Sequence, residues 1–300
     1  MAAQTTTNAA VANRTAVALQ SGFETYVPMG QAIFNDTPPT RKDEIFSVHA
    51  HDGSFSAVGE GGLYPSVDIL EAGTKTLSQL VYKKQLAITE LMQVFDHEGK
   101  IMKEAFRIGL DAAIKIDQLQ ADVLNGGFAT ETTWDGDYIF SATHNIGNTG
   151  VTQSNLVSGA FTDSTLNDAI VALNRQKNHR NTPQPILPAT LVVPVALRKK
   201  AVELVESPGN PEAANLNINT HKAYGIQVVA WPLLDATSST AWFLMGPKAQ
   251  HEFHKLMSIS PEVEVRERKY TSHGGEEVRL QFALQAGAAD YLGAVGSLGT

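Results

Sequence analysis

Residues 96–127 read DHEGKIMKEAFRIGLDAAIKIDQLQADVLNGG, and this stretch sets the scale of the molecule. Ile101, Ala105, Ile108, Ala112, Ile116, Leu119 and Val123 recur at steps of three and four, the spacing of one helix face. Met102, Phe106, Leu110 and Ile114 add a second apolar strip, so the buried face is broad. The pattern predicts a spine helix over 96–125, with Asn125-Gly126-Gly127 as its left-handed stop. About thirty residues at ~1.5 Å each make a rod of roughly 45 Å, far longer than an ordinary globular helix. Asp96 and Glu98 resemble paired carboxylates, but acids at a helix start simply answer its dipole.

Downstream, residues 129–159 read as irregular, with one apolar island at Tyr138-Ile139-Phe140. A second helix follows on Leu166, Ala169, Ile170 and Leu173, with Thr165-x-x-Asp168 as a capping box. Lys177, His179 and Arg180 suit its C-terminal dipole, and Pro183 and Pro185 prevent its resumption. Leu191-Val192-Val193 is a strand, and Pro194 opens a third helix carried by Leu197, Ala201, Leu204 and Val205. After the break at Pro208-Gly209-Asn210-Pro211 come two short strands, 226–231 and 242–245. Together, residues 160–258 form an α/β block. From Glu262 the period changes to two. Val263 and Val265, then Val278, Leu280, Phe282 and Leu284, alternate with polar residues around the turn Ser272-His273-Gly274-Gly275. A long antiparallel hairpin returns here to the earlier β elements, which makes the first domain discontinuous.

Upstream of the spine, residues 51–75 are glycine-rich and lie between two strand-like stretches, 45–48 and 80–88. They predict a long two-armed hairpin with an irregular tip, an excursion too long for an ordinary connection. The GEGGLY segment at 59–64 lacks the full G-x-G-x-x-G spacing of a dinucleotide loop. Residues 1–50, dominated at their start by Ala, Thr and Asn and interrupted by Pro28, Pro38 and Pro39, predict an extended arm without a helical stripe. Such an arm is floppy or ordered by a neighbour.

The 300 residues carry 23 Lys+Arg against 31 Asp+Glu, a net charge of −8 that argues against gripping nucleic acid over a wide face and leaves room for a small basic patch. With no Cys, the chain has no disulfide framework, thiol nucleophile or Cys-ligated metal. No apolar run approaches the ~20 residues of a membrane helix, and the N-terminus has no signal-peptide core. The sequons at Asn13 and Asn35 therefore read as chance.

His49-Ala50-His51-Asp52 offers ligand-type residues at strand spacing but no further cluster, and a solvated strand end is the simpler reading. His251-Glu252-Phe253-His254 lacks the spacing of a zincin helix. The run Arg266–Lys269 with Glu262, Glu264 and Glu267 is a solvated or interface face, and Trp231 and Trp242 belong to a core. No nucleophile elbow, Walker loop or calcium loop occurs. The expected catalytic, cofactor-binding and metal residues are therefore none.

Extended arm, glycine-tipped hairpin, spine helix, inserted α/β domain and returning hairpin follow one another in the order found in tailed-bacteriophage major capsid proteins. The local sequence resembles that family as well. Residues 117–127, DQLQADVLNGG, resemble the end of its spine helix. Thr190-Leu191-Val192-Val193-Pro194 with Ala196-Leu197 resembles its apical strand–helix step. Asn217-Ile218-Asn219, the 224–229 segment YGIQVV, Pro232-Leu233-Leu234 and the 241–246 segment AWFLMG resemble the paired strands that follow. The 140–145 segment FSATHN is similar to the branch of Mu-type head subunits.

The resemblance, over about 45–295, implies an α+β chain with the tailed-phage major capsid fold. Its parts would be an N-terminal arm (1–50), an extended hairpin loop (51–92), a peripheral domain (93–159 and 259–300) and an inserted axial α/β domain (160–258). It implies a structural subunit, not an enzyme, that assembles through hexamers and pentamers into an icosahedral head around double-stranded DNA. No cofactor and no membrane are implied, and DNA would be enclosed without sequence-specific binding. The implied partners are copies of itself, a separate scaffolding protein, a portal and a decoration protein. The implied location is the virion, after synthesis in the host cytoplasm. Some relatives carry a helical scaffolding segment before the arm. This chain begins almost at the arm, so a separate scaffold or a processed N-terminus is expected. Lys75, Lys83 and Lys84 lie in the hairpin region where some relatives crosslink, but no partner asparagine and acid accompany them. Two other readings stay open: an encapsulin-like compartment shell, and an α/β enzyme with a dispersed site.

Overall fold

A computed structural model describes residues 2–50, 55–66, 69–96, 99–147, 149–209, 218–266 and 276–300. Its first half contains α1 (Ala2–Thr25), β1 (Asn35–Thr37), β2 (Asp43–Ala50), β3 (Leu70–Ser78), β4 (Leu80–Ile88), α2 (Glu90–Phe95) and α3 (Lys100–Gly126). Then come β5 (His144–Asn145), β6 (Thr152–Gln153), α4 (Asp163–Asn174), β7 (Thr190–Val193) and α5 (Arg198–Glu206). The chain ends with β8 (Gln227–Ala230), β9 (Trp242–Met245), β10 (Phe253–Arg266), β11 (Glu276–Ala288) and β12 (Ala294–Ser297).

The spine is α3, 27 residues and therefore about 40 Å long. Asp96 starts it: its carboxylate accepts from the N–H groups of Lys100 (2.7 Å) and Ile101 (3.3 Å), satisfying two orphan donors. Glu98 lies outside the described residues. The left-handed stop expected at 125–127 is not there. Gly127 has φ −64°, and the Gly126 carbonyl accepts from the N–H groups of Ala129, Thr130 and Glu131. A turn folded onto the helix end uses its carbonyls, so no positive-φ residue is needed.

The N-terminus departs from the expected arm. Residues 2–25 are helical, and α1 packs on the spine instead of waiting for a neighbour. Contacts advance together along both helices, from Thr15 with Met102 to Gly22 with Phe106 and Tyr26 with Asp117, so the two run in the same direction. The sequence shows no apolar stripe here because the contact residues are small. A side-chain carbon at Gly22 would overlap the Phe106 carbonyl, and one at Gly109 would overlap the Leu19 carbonyl. The helices thus meet backbone to backbone, with Leu19 and Phe23 as the large apolar members of α1 among the described side chains.

Two four-stranded sheets flank the spine. The first has the order β1-β10-β11-β4, antiparallel except for β1 beside β10. Val278, Leu280, Phe282 and Leu284 of β11 are buried against Ile101, Ile108 and Ile116 of the spine, so the period-two face predicted for 278–284 meets the period-3.6 face of α3. The second sheet has the order β12-β9-β7-β8, covered by α4 and α5 through Leu166, Ile170, Leu173, Ala201 and Leu204. Trp231 and Trp242 are fully buried, as expected of core.

Three pairings differ from the sequence reading. The hairpin partner of β2 is β3, not 80–88. β4 lies in the first sheet, where Tyr82 stacks on Phe282 at 5.2 Å. Buried Gln79 makes the break between β3 and β4, donating to the Arg41 carbonyl and accepting from the Ser258 N–H. β12 joins the α/β sheet, so the chain end does not stay with the returning hairpin. At α4 the capping box is Thr162–Thr165, three residues earlier than expected, each hydroxyl accepting from the other's N–H. Helix α4 stops at Asn174, beyond which Lys177, His179 and Arg180 serve other partners: Asn181, Asp290 and the Ala50 carbonyl.

Candidate assembly surface

The β2–β3 ladder runs from Asp43 opposite Ser78 to Ala50 opposite Leu70. Beyond it, Phe55, Leu63 and Tyr64 are essentially fully exposed, at 102%, 91% and 99%. Ile69 and Leu70 continue the apolar strip toward the ladder. Large apolar groups concentrated on one uncovered loop, rather than scattered singly, mark an interaction site.

The β2–β3 ladder is seated on its own subunit. Gly73 lies directly on the Trp134 ring, where a β-carbon would overlap it. Lys75 Nζ donates to Thr132 Oγ1 at 3.0 Å, and burial pulls its pKa below the usual lysine range. Arg180 Nε donates to the Ala50 carbonyl at 2.9 Å, and Phe46 stacks on His254 at 4.3 Å. The ladder is thus fastened to its own chain, while the described tip residues stay uncovered.

A second uncovered surface lies beside the spine. Thr89 caps α2, its hydroxyl accepting from the Met92 N–H at 3.3 Å, and the short helix exposes Leu91, Met92, Val94 and Phe95. With Leu86, Ile88 and Ile101 this helix lines an open apolar groove of about 760 Å³, edged by Lys103, Glu104 and Arg107.

Behind these surfaces, buried polar joints lock the elements together. Asp117, on the spine, is fully buried and accepts from the Tyr26 O–H (2.6 Å), the Gly30 N–H (3.0 Å) and Trp231 Nε1–H (2.9 Å). One carboxylate thereby joins the N-terminal segment, the spine and the α/β sheet. Burial first, then the Asp117 bond, pushes the Tyr26 phenol far above its ordinary range. In the loop after the spine, burial disfavours the Asp135 charge. Hydrogen bonds from His144, Thr133 and Asn145 outweigh it and hold the carboxyl below the usual range. Asp290 accepts from Trp134 Nε1 (3.0 Å) and pairs with His179 Nε2 (2.7 Å), fixing the ring on which Gly73 rests.

Asp135, Asp137 and His144 place ligand-type atoms within 4.8 Å of one another. Those atoms already bond within the loop: His144 Nδ1 with Asp135 and Nε2 with the Ile139 carbonyl, Asp137 with Thr143. The cluster is a loop fastener.

Of the residues singled out from sequence, His49 is exposed near the tip end of the β2–β3 ladder, and His51 and Asp52 lie outside the described residues. His251 and His254 are buried, with Glu252 bonded to His254 at 2.6 Å. Lys84 pairs with Asp111 at 2.8 Å across exposed surface, and Lys83 is on the same strand. Of the run Arg266–Lys269, Arg266 ends β10 and the rest lies outside the described residues. Sequence reading missed α2, Asp117 and the Asp135–His144 pair. Only the alternation of Leu91, Met92, Val94 and Phe95 beside a capping Thr89 carried a signal for any of them.

The model of a phage capsid protein family matches residues 73–297. No curated protein matches the chain. Among solved structures, the capsid of cyanophage P-SCSP1u is similar, with a TM-score of 0.56 at 13% identity over 89% of this chain and 86% of that one. The procapsid of bacteriophage JBD30 gives 0.52 at 12% identity over 97% and 74%. A virus-like particle from Pyrococcus furiosus gives 0.53 at 10% identity over 94% and 96%.

Proposed function

The chain belongs to the phage capsid protein family, and from that premise we propose how it builds a head. The protein is a structural capsid subunit, not an enzyme, and its place is the shell of the virion. We infer that hexamers and pentamers of it close an icosahedron around double-stranded DNA, after synthesis in the host cytoplasm. In this reading α1 and the segment to Pro39 are the arm, and β2–β3 with its tip is the extended loop. The spine with the first sheet forms the peripheral part, and the second sheet with α4 and α5 forms the axial part. A separate scaffold, a portal and a decoration protein are its further partners. None of the described helices is long and apolar enough to cross a membrane.

The observation that carries this reading is the uncovered apolar tip on a seated hairpin. Each aromatic there removes on the order of 150–250 Å² from water when a neighbour covers it, at about 25 cal/mol per Å². The test replaces Phe55, Leu63 and Tyr64 with Ser together. The variant is expected to fold with an unchanged circular dichroism spectrum and to form no particles by electron microscopy under conditions in which the parent does. Particles of normal yield from the triple variant would refute the loop's role. The fold likeness to the Pyrococcus furiosus particle keeps a compartment shell as the second reading. Neighbouring terminase, portal and tail genes, as against a cargo enzyme, separate the two.

A further inference from the structure

His251 lies between the turn Lys248–Gln250 and β10, 4% exposed, with its ring edge-on to Phe253 at 5.5 Å and no partner for Nδ1. Three parts of the chain converge on it. Lys248 Nζ donates to the carbonyls of Gln31 and Phe34, and Asn35 Nδ2 donates to the carbonyls of Lys248 and His251. His254 bonds Thr37 Oγ1 through Nδ1 (2.9 Å) and Glu252 through Nε2 (2.6 Å), while Phe46 of the hairpin stacks on its face. Segment 31–37, the start of β10 and strand β2 therefore meet around buried His251, Phe253 and His254, with Lys248 and Glu252 on the exposed edge of the cluster. The other charged groups packed on these elements include the Lys255–Asp36 pair, Arg180 on the Ala50 carbonyl, Lys75 and Glu71 of β3 opposite Phe46 and His49, and, in the cleft beneath β2, His49 and the His179–Asp290 pair.

We propose that this cluster is an acid-operated release for the hairpin: protonating His251 unlocks segment 31–37 and β2 from β10 while the α/β sheet stays folded. A cation at His251 would be buried beside the Lys248 ammonium and His254. The adjacent Glu252 carboxylate raises the His251 pKa but does not offset burial; its own bond to His254 holds it below the usual carboxylate range. Burial depresses His251 to about 4 in the seated state, against 6.5 for a solvated ring. The opened form binds more protons than the seated one between those values. Seating is therefore strongest above pH 6.5 and weakens as pH falls toward 4. This inference concerns the single subunit and stands apart from the capsid reading.

Hydrogen exchange of the full chain at pH 7.5 and pH 4.7, corrected for intrinsic rates, tests it. Protection over 31–37 and 43–50 is expected to fall on the order of tenfold or more at the lower pH, while β7 and β9 keep theirs. His251→Phe keeps an aromatic edge on Phe253 but cannot titrate, and should abolish the difference. His49→Gln, at an exposed site, should leave it intact. If His251→Phe does not fold, His251→Gln and the regional pattern of the parent decide. Equal protection at both pH values, a loss shared by β7 and β9, or an undiminished loss in the His251 variant would overturn the proposal.

Discussion

A carboxylate buried in the middle of the longest helix needs a reason, and at Asp117 the reason is three donors from three parts of the chain. Removing it orphans a phenol, a backbone amide and an indole at once, each costing about 1–3 kcal/mol when buried without a partner. Asp117→Ala is therefore expected to destabilise by roughly 3–5 kcal/mol, the range for breaking a buried charged network. Asp117→Asn, which keeps one acceptor, should cost less. Thermal unfolding of the two variants checks the order, and a neutral Asp117→Ala would show that the N-terminal segment is not fastened there. The neighbouring Gln120 amide is buried with neither atom bonded, beneath Gly30. Gln120→Met, which keeps the length and removes the orphaned polar atoms, is expected to raise stability by about 1 kcal/mol in the same assay. Neither position announces itself in sequence. An Asp at 117 on an otherwise apolar helical face is visible, but its partners lie 87 to 114 residues away.

At the scale of elements, legibility followed side-chain size. Helices α3, α4 and α5 and strands β7, β9 and β11 bury large aliphatics at regular steps, so period alone places them within a few residues. α1, β3 and β12 do not. β12 reads AVGS and β3 reads LEAGTKTLS, with Ala, Gly, Ser and Thr where a core strand would show Val or Ile. α1 is held by backbone approach at Gly22 and Gly109. That difference makes a prediction with a sign. Gly109→Ala should stabilise an isolated helix by nearly 1 kcal/mol. Here the new methyl would strike the Leu19 carbonyl and the Phe23 N–H, so α1 should lift off the spine. The expected result is a lower melting temperature and rapid proteolysis within 2–25, with the rest of the chain resistant. A stabilised Gly109→Ala would mean that the helices do not approach so closely. The assembly surface was half legible: the glycine-rich loop between strands announced a projecting hairpin, whereas the α2 groove was hidden in a six-residue helix.

For the whole molecule, the competing terms are apolar surface and net charge. Each copy carries −8, so copies brought together repel, over a Debye length of roughly 8 Å at physiological salt. The exposed Phe55, Leu63, Tyr64, Leu91, Val94 and Phe95 supply the opposing attraction, which is short-ranged and insensitive to screening. If apolar burial drives association and charge resists it, salt and temperature should act in defined directions. Raising NaCl from 50 to 500 mM is expected to lower the concentration at which particles first appear in light scattering. Cooling toward 4 °C should raise it, because hydrophobic association weakens in the cold. Were salt instead to raise the threshold, ion pairs between copies would be the dominant contact, and residues such as Lys103, Glu104 and Arg107 at the groove edge would outrank its apolar floor. In the head proposed above, the same −8 would keep the wall from adhering to DNA inside it, since a surface without net phosphate neutralisation gains nothing from counterion release. Charge thus sets what the shell ignores, and the uncovered apolar residues set what it holds.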